Sequence, residues 1–187
     1  MMQSDSDQDL ISRVAKGDRL AFRALYARHH VRVFRFILRF IKDEGHAEDL
    51  IGEVFLDVWR QADRFEGRSS VSTWILGMAR FKALSSLRRP KEAALDEDQA
   101  GAIADDADTP ETVAQKVDKA QAIRRCIEAL SNEHREIVDL VYYQEKSISE
   151  VAEIVGIPEN TVKTRMFYAR KRLQELMQSA GVDRGWP

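Results

Sequence analysis

The hydrophobic residues of this chain recur at intervals of three and four, and strand-like alternation is almost absent. Such spacing places apolar side chains on one face of an α-helix, so the pattern predicts an all-α protein. The predicted helices cover residues 8–16, 20–41, 45–62, 72–89, 118–130, 133–144, 148–155 and 158–178.

One segment, from Lys91 to Asp118, interrupts this pattern. It holds nine acidic residues against two lysines, alanine fills much of the remainder, and it contains no aromatic side chain. A segment of this composition buries too little apolar surface to fold alone. We therefore predict two small helical domains, residues 1–90 and 118–187, joined by an acidic flexible linker over residues 91–117.

The composition of the 187 residues is that of a globular protein, with 44% hydrophobic and 32% charged residues and a net charge of -2. The chain contains no run of roughly 20 uncharged apolar residues, the length that crosses a bilayer. Its polar, acidic N-terminus does not resemble a signal peptide, so we expect a cytoplasmic protein. The single cysteine, Cys126, excludes an internal disulfide and most structural zinc sites. We expect neither a metal nor another cofactor.

The clearest local signals lie in the last third of the chain, between Ser147 and Met177. Ser147 and Glu150 have the spacing of a capping box at the start of a helix. Gly156 suits the left-handed residue that ends a helix, and Pro158 suits the first turn of the next. Two helices joined by a tight turn containing glycine form a helix-turn-helix, which places its second helix in a DNA major groove.

The second helix of this unit carries polar and basic side chains on the faces away from its apolar stripe. The candidate DNA-binding residues are Asn160, Thr161, Lys163, Thr164, Arg165, Arg170, Lys171 and Arg172. Residues 160–165 stand where a recognition helix meets base edges, and residues 170–172 would follow the phosphates. The alternative for residues 170–172 is a solvated helix end whose charge complements the helix dipole.

The predicted helix over residues 45–62 carries Asp49, Glu53 and Asp57 opposite a wide apolar face. Like charges four residues apart repel one another and destabilise an isolated helix. Their presence indicates a docking face for a basic partner protein. The alternative is an acidic face that only increases solubility.

The segment from Arg60 to Arg89 interleaves seven basic residues with Phe65, Trp74 and Phe81. Aromatic rings stack on unpaired bases while cations meet phosphates, so this composition is typical of single-stranded nucleic acid binding. The alternative is that Trp74 and Phe81 belong to the core. Gly77 lies inside the predicted helix, where glycine is unfavourable, and the sequence offers no reason for it.

Taken together, four segments of this chain resemble a known family. They are residues 21–26, 47–59, 65–89 and 147–176. Their order and spacing resemble a bacterial RNA polymerase sigma factor of the extracytoplasmic-function type, which has only the second and fourth sigma domains. The resemblance spans most of residues 10–178.

This resemblance implies a role for each segment. The core polymerase, through the clamp helices of its largest subunit, would bind Asp49, Leu50, Glu53 and Asp57. The residues that would recognise and open the -10 promoter element are Phe65, Arg68, Ser69, Ser70, Thr73, Trp74, Arg80, Lys82 and Arg88. The second helix of the helix-turn-helix would read the -35 element as duplex, and the acidic linker would thread toward the active-site channel. An anti-sigma factor would hold such a protein inactive.

Two other functions compete with this one. The first is an autonomous helix-turn-helix regulator that uses its N-terminal half to dimerise or to sense a ligand. The second is an adaptor that binds only proteins, which would leave Arg165 and Lys171 without a role. Enzymatic activity is not expected, because the sequence has no phosphate-binding glycine loop, metal cluster or nucleophile arrangement.

Overall fold

The computed structural model describes residues 5–88 and 110–182, with the side chains of the second range from residue 119 onward. Regular structure within these ranges is entirely helical, which confirms the all-α prediction. The helices are α1 (Asp7–Val14), α2 (Arg19–Ile37), α3 (Glu44–Gln61), α4 (Val71–Arg88), α5 (Pro110–Glu128), α6 (Asn132–Val138), α7 (Ile148–Val155) and α8 (Glu159–Ser179). A 3₁₀ turn, Ala62–Arg64, follows α3, and a π-helix, Asp139–Tyr143, follows α6.

Local capping explains where the N-terminal helices begin. Ser6 and Asp9 form a capping box at α1, and the Asp18 carboxylate accepts hydrogen bonds from two backbone N–H groups of the first turn of α2. The Asp43 side chain accepts one from the N–H of His46 at α3. Each cap satisfies N–H groups that the helix itself leaves unpaired, so these starts follow from short stretches of sequence.

The chain forms two compact units, one made of Met1–Arg89 with Asp139–Val162 and the other of Pro90–Val138 with Lys163–Pro187. In the first unit, α2 packs against α1, α3 and α4, and α4 also packs against α7. Its fully buried side chains include Leu25, Phe36, Val54 and Ile75.

The second unit has its own apolar core, contributed by α5, α6, α8 and the turn between α5 and α6. The buried side chains of this core are Cys126, Ile127, Leu130, Ile137, Val138, Met166, Ala169, Leu173 and Met177. In α8 they recur at spacings of three and four, and Met166, Ala169 and Leu173 match the stripe predicted from sequence; its last predicted member, Leu176, is half-buried, and Met177 is buried instead. Cys126 is buried as an ordinary helix residue.

Three helix boundaries differ from prediction by more than two residues. α2 ends at Ile37 rather than near residue 41, because the chain tightens into turns that leave Ile41 buried. The helix predicted over residues 133–144 changes to a π-helix at Asp139, with an i→i−5 hydrogen bond from the Gln144 N–H. α5 begins at Pro110, inside the segment that composition assigned to the linker, because proline suits a first helical turn.

Some sequence predictions lie outside the described residues. They concern residues 91–109 of the linker, the end of the helix predicted over residues 72–89, and the tail containing Trp186.

Candidate polymerase and nucleic-acid interfaces

The outer face of α3 carries the acidic residues that the sequence singled out. Asp49 and Glu53 are exposed, and the Asp57 side chain is half-buried. Leu50 is 5% exposed and belongs to the core, so it is not a surface residue of this face. The exposed apolar side chain here is Leu56, at 46%. The exposure of Leu56 could have been predicted from the sequence, because Leu56 falls outside the apolar stripe of the helix.

Lys82 of α4 lies against this acidic face. Its ammonium donates to Glu53 Oε2 at 3.2 Å and to Asp57 Oδ2 at 2.8 Å. Burial lowers the pKa of Lys82, but the hydrogen bonds and charges of Asp57 and Glu53 outweigh it and raise the pKa overall. Lys82 therefore offsets the repulsion between these two carboxylates. This predicted -10 residue is therefore in contact with two of the predicted docking residues.

The loop between α3 and α4 holds the first of the predicted -10 residues. The Phe65 and Trp74 rings meet at 5.1 Å between centroids, and both are half-buried. Gly67 has a φ of +71°, a left-handed conformation that glycine adopts without a steric penalty. The Arg68 side chain is 84% exposed and pairs with Glu66, while Ser69 is half-buried.

Residues at the start of α4 form a polar cluster with the start of α7, which we call the Glu150 cluster: Ser70, Ser72, Thr73, Lys146 and Glu150. The Glu150 carboxylate accepts hydrogen bonds from Ser70 Oγ at 3.0 Å and from Thr73 Oγ1 at 2.7 Å. The Lys146 ammonium, on a side chain that is 8% exposed, donates to Ser72 Oγ and to Glu150. Thr73 is 1% exposed. Two of the predicted -10 residues, Ser70 and Thr73, are therefore engaged by residues from the C-terminal part of the chain.

The Glu150 carboxylate is strongly stabilised in its charged form. Burial raises its pKa, but hydrogen bonds from Thr73, the Ser147 N–H and Ser70, together with the charge of Lys146, lower it to about 2 from an ordinary 4.5. Because the folded pKa is depressed, the stabilisation is complete above about pH 4.5 and is lost as the pH falls toward 2.

A pH-dependent loss of stability is therefore expected for the wild type. Urea unfolding of the wild type and of Glu150→Gln should show a difference in free energy that shrinks as the pH falls from about 4.5 toward 2, because glutamine does not titrate. A constant difference across that range would contradict this assignment.

A second polar contact ties the π-helix to the turn that follows α2. Arg39 Nε donates to Asp139 Oδ1 at 2.8 Å, and the Asp139 side chain is only 3% exposed. The Arg39 guanidinium also lies 5.2 Å from the centre of the Tyr143 ring. The π-helix thus directs an acid inward toward an arginine far away in sequence, which helical periodicity could not predict.

Two aromatic residues of α4 differ in exposure, which decides one of the alternatives left open for them. Phe81 is 72% exposed and is not a core residue, whereas Trp74 is half-buried. Phe81, Arg80 and Arg88 line a groove of about 260 Å³ whose opposite side is α7. Gly77 lines the same groove, and among the described residues, apart from the backbone of its own helix, no atom lies within 4 Å of a methyl group placed at Gly77. Packing against the described residues therefore does not explain this glycine.

The helix-turn-helix has the local geometry that its sequence predicts. Ser147 and Glu150 form a capping box at α7, and Gly156 ends that helix in the left-handed conformation at φ 74°, ψ 36°. Pro158 precedes α8, whose first residue is Glu159.

The predicted DNA-binding residues of α8 differ in exposure. The exposed ones are Asn160, Lys163, Thr164, Arg170, Lys171 and Arg172. Thr161 and Arg165 are half-buried, and the Arg165 guanidinium pairs with Glu133 of α6 at 2.9 Å. Arg172 pairs with Glu175 at 3.0 Å. α8 therefore presents most of its predicted contacts to solvent and holds Arg165 in an ion pair.

Between residues 5 and 88 and between 110 and 182, no helix is long and apolar enough to cross a membrane. Over the same residues, no three His, Cys, Asp or Glu side chains are grouped so that they could hold a metal ion.

Comparison with known proteins relates both parts of the chain to one family. Models of sigma-70 region 2 and sigma-70 region 4 match residues 25–92 and 120–173. The ECF RNA polymerase sigma factor SigK of Mycobacterium bovis BCG is 30% identical over 179 residues, which cover 94% of this chain and 95% of the relative. SigK of Mycobacterium ulcerans is 27% identical over 183 residues, covering 95% and 97%.

Solved structures share the fold. CnrH, solved in complex with the cytosolic domain of CnrY, has a TM-score of 0.68 at 22% identity and covers 94% of this chain and 99% of its own. Sigma factor RpoE of Bartonella quintana has a TM-score of 0.66 at 23% identity, with coverage of 84% and 96%. The acidic face of α3, the helix-turn-helix and the similarity along nearly the whole chain lead to one conclusion: this protein belongs to the ECF family of RNA polymerase sigma factors.

Proposed function

We propose that the chain binds core RNA polymerase through the outer face of α3, recognises the -10 element with residues 65–88, and reads the -35 duplex with α8. It acts in the cytoplasm and has no catalytic activity of its own. In this proposal residues 1–90 form the polymerase-binding and -10 domain, residues 91–117 the linker, and residues 118–187 the -35 domain. The observation that carries it is the exposed recognition face of α8, which follows the left-handed turn at Gly156.

The polymerase-binding role is supported by exposure and charge. Asp49 and Glu53 project from α3 beside Leu56, which is 46% exposed. An apolar side chain within a ring of charges is a typical interface centre, because its burial gives affinity while the charges orient the partner. A basic partner surface would complement this face.

We also propose that an anti-sigma factor controls this protein within a stress or signalling response. The support comes from the related fold. RpoE of Bartonella quintana was solved in complex with the anti-sigma factor NepR, and CnrH with the cytosolic domain of CnrY.

Reconstitution tests the proposal as a whole. The full chain is mixed with core polymerase from a bacterium, and transcripts from sheared genomic DNA are mapped with and without it. Start sites that depend on the chain, with shared upstream elements, are expected. An autonomous regulator would instead bind a duplex site tightly without polymerase, and that result would contradict the proposal.

Reversing the charge of Asp49 should weaken polymerase binding without disturbing the fold. We expect Asp49→Lys to lower the affinity for core at least tenfold, since a like charge then faces the basic partner surface. Asp49 is a better position than Glu53 because Glu53 is already paired with Lys82. Fluorescence anisotropy with labelled chain and purified core measures this.

The matched control for this variant is Asp63→Lys. Asp63 is exposed on the 3₁₀ turn after α3, and the substitution makes the same change of charge. Equal loss of affinity in both variants would indicate a general charge effect and would remove the support for a docking face on α3.

A further inference from the structure

α8 exposes two aromatic side chains that belong to none of the predicted sites. Phe167 is 65% exposed and Tyr168 is 54% exposed. Their rings are in contact, edge to face, with 5.4 Å between centroids and 79° between planes. Burying a phenylalanine side chain stabilises a protein by about 1.5–3 kcal/mol. A phenylalanine exposed to water does not contribute this free energy to folding, but it can contribute it to the binding of a partner.

The position of Phe167 on the helix is informative. Thr164, Phe167 and Lys171 are spaced by three and four residues and therefore share one face of α8. Asn160 lies one turn before Thr164 on the same side. The buried stripe of α8, which includes Met166 and Leu173, lies on the other side of the helix. The Phe167 ring thus stands in the middle of the polar face proposed to enter the major groove.

The chemistry of the major groove limits what a phenyl ring can recognise there. The ring has no hydrogen-bond donor or acceptor of the kind that reads base edges. The thymine 5-methyl group is an apolar group in that groove, and phenylalanine is one of the side chains that contact it. The edge-to-face contact with Tyr168 restricts the ring of Phe167 beforehand, so binding costs less conformational entropy.

We propose that Phe167 is a specificity-determining residue that recognises the methyl group of a thymine in the upstream duplex. This inference rests on the proposed reading of the -35 element by α8, and it adds a base-specific contact to that role. Lys171 and Thr164, on either side of the ring, hold the helix to the backbone and the neighbouring base edges.

Replacement of thymine by deoxyuridine removes only the 5-methyl group and is the direct test. Polymerase holoenzyme carrying the full chain first selects duplex promoter fragments from a random pool. Each thymine of the selected upstream element is then replaced singly by deoxyuridine, and the affinity of the holoenzyme is measured. We expect the wild type to lose about threefold to fivefold at one thymine, the effect of one buried methyl group.

Three variants give the comparison. Phe167→Ala should bind the thymine and deoxyuridine duplexes equally, while Phe167→Leu should keep part of the difference. Arg165→Ala should lower the affinity for both duplexes and preserve their ratio. Phe81→Ala is the matched control, since Phe81 is an equally exposed phenylalanine that lies on α4. It should leave the ratio unchanged, and circular dichroism confirms that each variant is folded.

Several results would overturn the inference. The first is an upstream element in which no thymine is required. The second is equal affinity of the wild type for the thymine and deoxyuridine duplexes. The third is a Phe167→Ala variant that still binds the thymine duplex more tightly than the deoxyuridine duplex. If the wild type ignores the methyl group, or if Phe167→Ala still recognises it, the role of Phe167 is wrong. The proposed role of α8 remains supported in either case, provided that selection of the upstream element depends on Arg165. A holoenzyme that selects no upstream element would instead contradict the proposed role of α8. The role of Phe167 would then be contradicted as well.

Discussion

Substitution of Glu150 by alanine is expected to loosen α7 from α4 and to lower the free energy of unfolding by about 2–3 kcal/mol. The physical reason is the set of groups left behind. The Thr73 hydroxyl is 1% exposed and the Lys146 side chain 8%, and both lose the carboxylate that accepts their hydrogen bonds. The variant also loses the Glu150 half of the α7 capping box.

The same substitution should release predicted -10 residues. In the structure, the hydroxyls of Ser70 and Thr73 donate to Glu150 and are not available to a nucleic acid. We expect Glu150→Ala to bind a single-stranded promoter oligonucleotide more tightly than the wild type does in the absence of polymerase. Urea unfolding, amide hydrogen exchange at the start of α4, and oligonucleotide anisotropy measure the three consequences.

Glu153→Ala provides the control for Glu150→Ala. Glu153 is an exposed acid on the same helix, so its removal changes the net charge equally and should alter stability by no more than about 0.5 kcal/mol. If the two variants had the same stability and exchange rates, the Glu150 cluster would not hold α7 against α4.

Removal of the Arg39 guanidinium is the second substitution with a large expected effect. Arg39→Met should lower the free energy of unfolding by about 3 kcal/mol, because it takes the arginine charge away from a carboxylate whose side chain is 3% exposed. Methionine retains the aliphatic stem, so the loss reports mainly on charge. Tryptophan fluorescence in urea measures the change.

Two further variants make this prediction specific. Arg35→Met removes an exposed arginine from the last turn of α2, four residues before Arg39, and should cost less than about 0.5 kcal/mol. The double variant Arg39→Met/Asp139→Asn should recover part of the loss, since the buried carboxylate charge that Arg39 balances is then removed as well. An Arg39→Met protein as stable as Arg35→Met would show that the ion pair contributes nothing to the fold.

Local sequence was sufficient for much of the secondary structure. The capping boxes of α1 and α7 and the left-handed Gly156 each involve residues within a few positions of one another. The hydrogen-bonding capacity of these residues and the conformational freedom of glycine are the same in any fold. The helix-turn-helix could therefore be predicted with its turn in the right place.

Position along a helix was a weaker guide to exposure where a helix has apolar residues on several sides. Phe81 and Trp74 are seven residues apart in α4, yet Phe81 is 72% exposed and Trp74 is half-buried. Similarly, Leu50 is buried and Leu56 is exposed on the same helix, α3. Which apolar side chain faces the core depends on the neighbouring helices, and helical spacing does not contain that information.

The sequence by itself determined the helical class, the helix-turn-helix, the acidic face of α3 and the resemblance to the sigma factors, because each depends on short-range spacing and composition. Only the tertiary structure decided the partners of charged groups. Glu150 meets Thr73 across 77 positions, and Asp139 meets Arg39 across 100. Such pairs form when packing brings distant segments together and removes water from them, and no local pattern encodes that distance.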